Sequence, residues 1–168
     1  MGTVQLHLVD RSRGWSKGGT ATACAALADE RIRAGLSLDA PMQMNPPLAG
    51  DLDRPFLMMS AVFTLATDPE AAAFWSHLRG RRLNLRAQGA AHVSYGDNEA
   101  LFPQVAKLLG WSGQQLQQVI GTLDPDQAVR IQQAYPLAFF DEHLRHRRGR
   151  LLDGPSPAFP AVEFVADR

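Results

Sequence analysis

The hexapeptide Gly14-Trp15-Ser16-Lys17-Gly18-Gly19 stands between an alternating stretch and an alanine-rich one, and it constrains the fold more than any other segment. Val4-Gln5-Leu6-His7-Leu8-Val9 alternates apolar and polar residues for most of its length, the period of a strand with one buried face. Thr20 to Asp29 is dominated by alanine together with Leu27, a composition of good helix formers that packs closely on a sheet. The expected order is strand, sharp turn, helix. Small residues at Gly14 and Gly18 permit a strained turn that projects Ser16 above the sheet, and the backbone N–H of Lys17 stands at the start of the helix.

The same rhythm continues along the chain. Arg33 to Leu38 reads as a strand that ends at Asp39, and Pro41, Pro46 and Pro47 break the next segment into a loop. Pro55 to Ser60 is a short continuous apolar run, as expected of a central strand covered on both faces, and Asp68-Pro69 opens a helix containing Phe74, Trp75 and Leu78. Arg82 to Arg86 alternates again, then Gln88 to His92 forms a loop and Glu99 to Leu109 a helix. Asp124 to His143 carries Ala128, Ile131, Tyr135 and Phe139 at helical spacing, with Pro136 bending or dividing that helix. The glutamines between Gln114 and Gln118 read as no more than a polar helix face.

Strands alternating with helices predict an α/β fold: a mostly parallel sheet of about four strands with flanking helices, in one domain over residues 1–168, with an extended tail over residues 151–168. In such sheets, sites collect at the carboxyl ends of strands. Ser16, Asp39 and His92 all fall there.

Composition removes some alternatives. With 45% hydrophobic residues the chain can build a real core, and its 17 basic residues balance 17 acidic ones, so no overall field recruits nucleic acid or an anionic membrane. No stretch approaches the length of a membrane span, and Met1 to Asp10 lacks the pattern of a signal peptide. The default compartment is cytoplasmic, or extracellular if the chain belongs to a longer secreted protein. Cys24, the single cysteine, has Ala23 and Ala25 as neighbours and reads as a small buried hydrophobe. Arg145, His146, Arg147, Arg148 and Arg150 form a basic cluster whose ordinary role is to complement a helix carboxyl end and face water.

A serine hydroxyl needs a base to take its proton and donors to hold a developing oxyanion. His92 is the one histidine of five that follows an expected strand, which makes it the candidate base, while His7 reads as a strand-face residue, His77 as a helix-surface residue, and His143 and His146 as parts of a solvated end. Two carboxylates could orient it. Asp39 follows the second strand and Asp68 the third, although Asp68 before Pro69 also has the simpler reading of a helix cap.

Gly14 to Thr22, Arg33 to Ala40 and Gly89 to His92 together resemble the platelet-activating factor acetylhydrolase and bacterial lipase-like branch of the α/β-hydrolases, from about Arg13 onward. The resemblance implies a partial α/β-hydrolase fold lacking its amino-terminal strands. It also implies that the acid is Asp39, in Leu38-Asp39-Ala40, 39 − 16 = 23 positions after the nucleophile. The implied site is Ser16, Asp39 and His92 with the Lys17 N–H as oxyanion donor, without metal or cofactor, and the implied substrate is a small ester or lipid cleaved through an acyl-serine.

The chain departs from that pattern in two ways. Trp15 occupies the place where relatives usually carry His, and Arg11, Ser12 and Arg13 intervene between the expected first strand and the turn. Without the strands that precede the turn in the family, the expected sheet has an open edge, available for self-association or for pairing with another polypeptide. The alternative to an esterase is therefore a catalytically idle hydrolase remnant that serves as an interaction module.

Overall fold

Alternating side chains sort one sheet into two cores. The computed structural model describes residues 10–45, 47 and 50–165; the strand expected over residues 4–9 lies outside the described residues. Five strands pair in the order β1 (Arg11–Trp15), β2 (Ala34–Leu38), β3 (Phe56–Ser60), β4 (Arg82–Ala87) and β5 (Val162–Phe164). The first four run parallel and β5 lies antiparallel to β4. The sheet is thus one strand wider than the sequence suggests. The expected tail supplies the extra strand, because Val162 buries against Leu85 and Ala87 while Glu163 faces the other side.

Ala34, Leu36, Leu38, Leu57, Met59 and Leu85 point to one face, where they meet Ala128, Ile131, Tyr135 and Phe139 of helix α5 (Pro125–Arg145). Phe56 and Met58 point to the other, against Ala23 and Ala26 of α1 (Lys17–Ala28) and Ala71 and Phe74 of α2 (Pro69–Ser76). Strands β2 and β3 are buried along their whole length, as their apolar runs require. Pro136 sits inside α5 without dividing it. Helix α3 (Asn98–Leu109) packs on α5 and α4 (Gly113–Ile120) packs on α3, and the glutamine-rich stretch proves to be a helix in its own right, capped by Ser112.

The first strand corrects the expectation about the arginines. Arg11 and Arg13 belong to β1 itself, which runs directly into the turn, and they are tolerated because β1 is the sheet's edge among the described residues. The Asp10 carbonyl accepts from Arg33 N–H and the Ser16 N–H donates to the Leu38 carbonyl, both at 2.9 Å. Even-numbered positions therefore face β2, and Arg11, Arg13 and Trp15 turn their backbone N–H and C=O groups outward, toward an edge where no described strand pairs. Cys24 is also corrected, because the phase of α1 directs Gly19, Thr20, Thr22, Ala23 and Ala26 inward and leaves Cys24 exposed.

Glu99, in the first turn of α3, is fully buried, and neither carboxylate oxygen has a hydrogen-bond partner among the described residues. The nearby Ser94 hydroxyl is committed to the Ile120 carbonyl at 3.0 Å. Burial pushes the Glu99 carboxyl above its ordinary range, and the negative charge of Asp124 adds to the shift. A carboxyl raised on folding contributes stability that is complete below its unfolded value and is lost as pH rises through its folded one. Glu99→Gln should therefore stabilise the protein by about 1 kcal/mol at pH 8. Urea midpoints from pH 5 to 8 check this, with the parent losing stability over that range more steeply than the variant.

Candidate active site

β1 ends at Trp15 and α1 begins at Lys17, so a single residue, Ser16, makes the whole reversal from strand to helix. It does so at φ 55° and ψ −129°, a region that costs a non-glycine residue on the order of 1–3 kcal/mol. The turn is held from both sides: Ser16 N–H donates to Leu38, and its carbonyl accepts from Gly19 N–H at 2.9 Å. A Cβ on Gly14 would lie 2.1 Å from the Gly18 carbonyl carbon, and one on Gly19 would lie 2.6 Å from Ala40 Cβ and 2.9 Å from Ser37 Cβ. Gly14 and Gly19 are thus the glycines the turn requires. Gly18, which the sequence pattern pairs with Gly14, would place a Cβ in open space.

The Lys17 N–H is the first of α1 and has no carbonyl within the helix to bond, so it stands beside Ser16 as a donor at the positive end of the helix. Its ammonium is engaged elsewhere, donating to Gln43 Oε1 at 2.9 Å.

Asp39 follows β2 directly and leaves the strand at φ 44°, so two of the four described non-glycine residues with positive φ are Ser16 and Asp39. Such strain persists only where the surroundings impose it. Here the surroundings are visible. Asp39 is 1% exposed, and its Oδ1 accepts from the backbone N–H groups of Ala61, Val62 and Phe63 at 2.8, 2.8 and 3.0 Å. Its Oδ2 meets His92 Nδ1 at 2.7 Å. Because the carboxylate can only accept there, it places the imidazole proton on Nδ1 and leaves Nε2 free to act as a base.

His92 opens the short 3-10 turn His92–Tyr95 beyond β4, and its side chain is 32% exposed. Trp15 lies along it with ring centroids 5.0 Å apart, and Phe63 meets it edge-on at 5.5 Å. Trp15 Nε1 also donates to the His92 carbonyl at 2.8 Å, which ties the residue before Ser16 to the histidine. Ser16 Oγ and His92 make no hydrogen bond to each other among the described residues. Catalytic hydrogen bonds of this kind are commonly long without substrate. Tyr95 donates to the Ser60 carbonyl at 3.0 Å, and burial, followed by the Asp39 charge, pushes its hydroxyl well above the ordinary range.

Sequence reasoning treats Trp15 as a mere oddity and misses the amides of residues 61–63 altogether. An indole N–H next to the strained Ser16 is a readable signal; three backbone donors supplied by a loop leave no trace in residue identity. Asp68 accepts from Glu70 and Ala71 N–H at 3.0 and 3.3 Å and is the cap of α2. His77 follows α2 and bonds Asp51 at 2.9 Å. His143 is corrected: it packs on Phe139 with centroids 4.7 Å apart rather than standing in solvent, and burial lowers its pKa. His7 lies outside the described residues. Within the basic cluster, Arg145 pairs with Asp141 and Arg148 with Asp153.

No family model matches the sequence, and no curated protein matches it. Among solved structures, the chain is similar to a ferulic acid esterase from Streptomyces cinnamoneus, with a TM-score of 0.82 and 27% identity over 93% of this chain. It covers 46% of that protein, so it spans about half of the esterase's length. No helix among the described residues is long and apolar enough to cross a membrane. The mostly parallel five-stranded sheet with flanking helices is thus an esterase-like α/β fold.

Proposed function

We propose that the chain carries the catalytic residues of a serine carboxyl ester hydrolase, with Ser16 as nucleophile, His92 as base and Asp39 as the orienting acid. The observation that carries this reading is Asp39, buried in a non-glycine conformation with one oxygen on three backbone amides and the other on His92 Nδ1. A purely structural aspartate has no need to hold an imidazole that packs on Trp15, the residue before a strained serine. In the reaction, Ser16 Oγ attacks the ester carbonyl carbon as His92 Nε2 takes its proton. The Lys17 N–H donates to the oxyanion, His92 returns the proton to the departing alcohol, and water then cleaves the acyl-serine by the same route.

An oxyanion site of this kind uses two donors. The edge of β1 that no described strand pairs, with the outward amides of Arg11, Arg13 and Trp15, is where a further strand would bring the second donor close to Ser16. The edge therefore takes a partner segment, from another part of a longer chain or from another polypeptide. For the substrate, the similarity to a ferulic acid esterase supports a carboxylic ester in general, and the resemblance of Gly14 to Thr22, Arg33 to Ala40 and Gly89 to His92 to the platelet-activating factor acetylhydrolase branch implies short or oxidised acyl esters.

Labelling with a fluorophosphonate probe, alongside turnover of short-chain p-nitrophenyl esters, tests the reading. Covalent modification at Ser16 supports it, and modification that persists in Ser16→Ala overturns it. Trp15→Phe keeps a ring against His92 but removes the donor to its carbonyl, so kcat should fall about tenfold with KM little changed. An unchanged kcat would show that this hydrogen bond does not position the base.

A further inference from the structure

Helix α2 and the segment after β3 enclose a cavity of about 570 Å³ on the sheet face opposite α5, and none of Ser16, Asp39 or His92 lines it. Its volume is in the range of small-molecule sites. The floor is Ser60, Asn84 and Arg86, and Trp75, Leu65 and Val165 are among the walls. Two arginines of β4 point to this face and behave differently. Arg82 lies over the Trp75 ring at 4.6 Å and donates to the Trp75 and Leu78 carbonyls, so it fastens α2 to the sheet.

Arg86 makes no ion pair or side-chain hydrogen bond among the described residues, although it is exposed into the cavity. Asn84 is 3% exposed, and its Oδ1 accepts from Ser60 Oγ at 3.2 Å while its NH₂ makes no hydrogen bond among the described residues. A guanidinium and an amide NH₂ thus stand unengaged two positions apart on one strand, beneath an apolar wall that includes an indole. Uncommitted donors in a largely apolar hollow favour a planar acceptor with an apolar body.

The geometry points to this cavity as a second ligand site, separate from the serine, that takes a small monocarboxylate with its carboxylate on Arg86 and Asn84 and its body against Trp75 and Leu65. Glu163, the cross-strand neighbour of Arg86 and itself a lining residue, disfavours a dianion such as phosphate. The site adjoins the catalytic machinery through the chain. Ser60 and Thr64 line the cavity, and Ala61, Val62 and Phe63 between them supply the amides that hold Asp39. Occupancy therefore bears on the segment that orients the acid.

Calorimetric titration of the protein with 4-phenylbutyrate, against its neutral amide and against inorganic phosphate, tests the assignment. Saturable binding of the carboxylate is expected, at least tenfold tighter than either control, weakened at least tenfold in Arg86→Gln and unchanged in Ser16→Ala. Arg86 is not part of any ion pair among the described residues and faces the cavity, so Arg86→Gln should fold, which its circular dichroism checks. Absence of saturable binding, equal affinity for the amide, equal affinity in Arg86→Gln, or loss of binding in Ser16→Ala would each overturn it.

Discussion

Ser16→Ala should reduce ester turnover at least ~10³-fold and abolish fluorophosphonate labelling, while leaving the thermal midpoint nearly unchanged. The two halves of that expectation have different causes. Turnover should be lost because the hydroxyl is the only group removed and it is the proposed nucleophile. Stability is kept because alanine inherits the φ of 55° that serine already tolerates, and Ser16 is only half buried. Ser16→Gly separates the two effects further. Glycine occupies this conformation without steric cost, which relieves on the order of 1–3 kcal/mol of strain against roughly 0.5–1 kcal/mol of added chain entropy. The glycine variant should therefore be inactive and more stable than the parent by about 1 kcal/mol, measured by urea denaturation. A destabilised glycine variant would mean that the turn is not strained.

The order of the central elements was legible because β2, β3 and β4 are short apolar or alternating runs, α1 follows a glycine turn and α2 and α5 open at an Asp-Pro cap. Position 39 shows both the reach of that reading and its end. A carboxylate one residue past an apolar strand could be picked out, yet nothing in Leu38-Asp39-Ala40 announces that its oxygens divide between three amides and an imidazole. Those partners come from 22 to 53 residues away, through folding alone. Strand β1, over Arg11–Trp15, goes unread for a related reason. Arg11 and Arg13 break the apolar pattern of a buried strand, but edge position is a property of the whole sheet and leaves no local mark. The tail likewise hides β5, whose three residues are too few for periodicity to register.

The flank of β1 that no described strand covers connects fold to function. Trp15 is 38% exposed, the largest side chain at that edge, and it is also the donor that holds the His92 carbonyl. A segment added beside β1 would cover this indole and desolvate the space above Ser16. Activity and edge pairing are therefore expected to rise together, since an oxyanion donor is worth more in a site from which water is excluded.

Asp39→Asn should lower kcat by roughly 10⁴-fold without unfolding the protein, because it changes which nitrogen of His92 carries the proton. The amide oxygen can still accept from Ala61, Val62 and Phe63, so the three buried donors keep their partner. The NH₂ group then faces His92 Nδ1 across the 2.7 Å contact and can only donate. The proton moves to Nε2, and the nitrogen that should take the Ser16 proton is already protonated. Asp39→Ala has a different expected outcome, for it leaves three N–H groups without an acceptor at a site that is 1% exposed, each costing about 1–3 kcal/mol. That variant should be inactive through instability, with its urea midpoint well below the parent's, whereas Asp39→Asn should be inactive at a nearly native midpoint. If Asp39→Asn retained turnover, the aspartate would serve only to fold residues 61–63, and His92 would take its orientation from Trp15 and Phe63 alone.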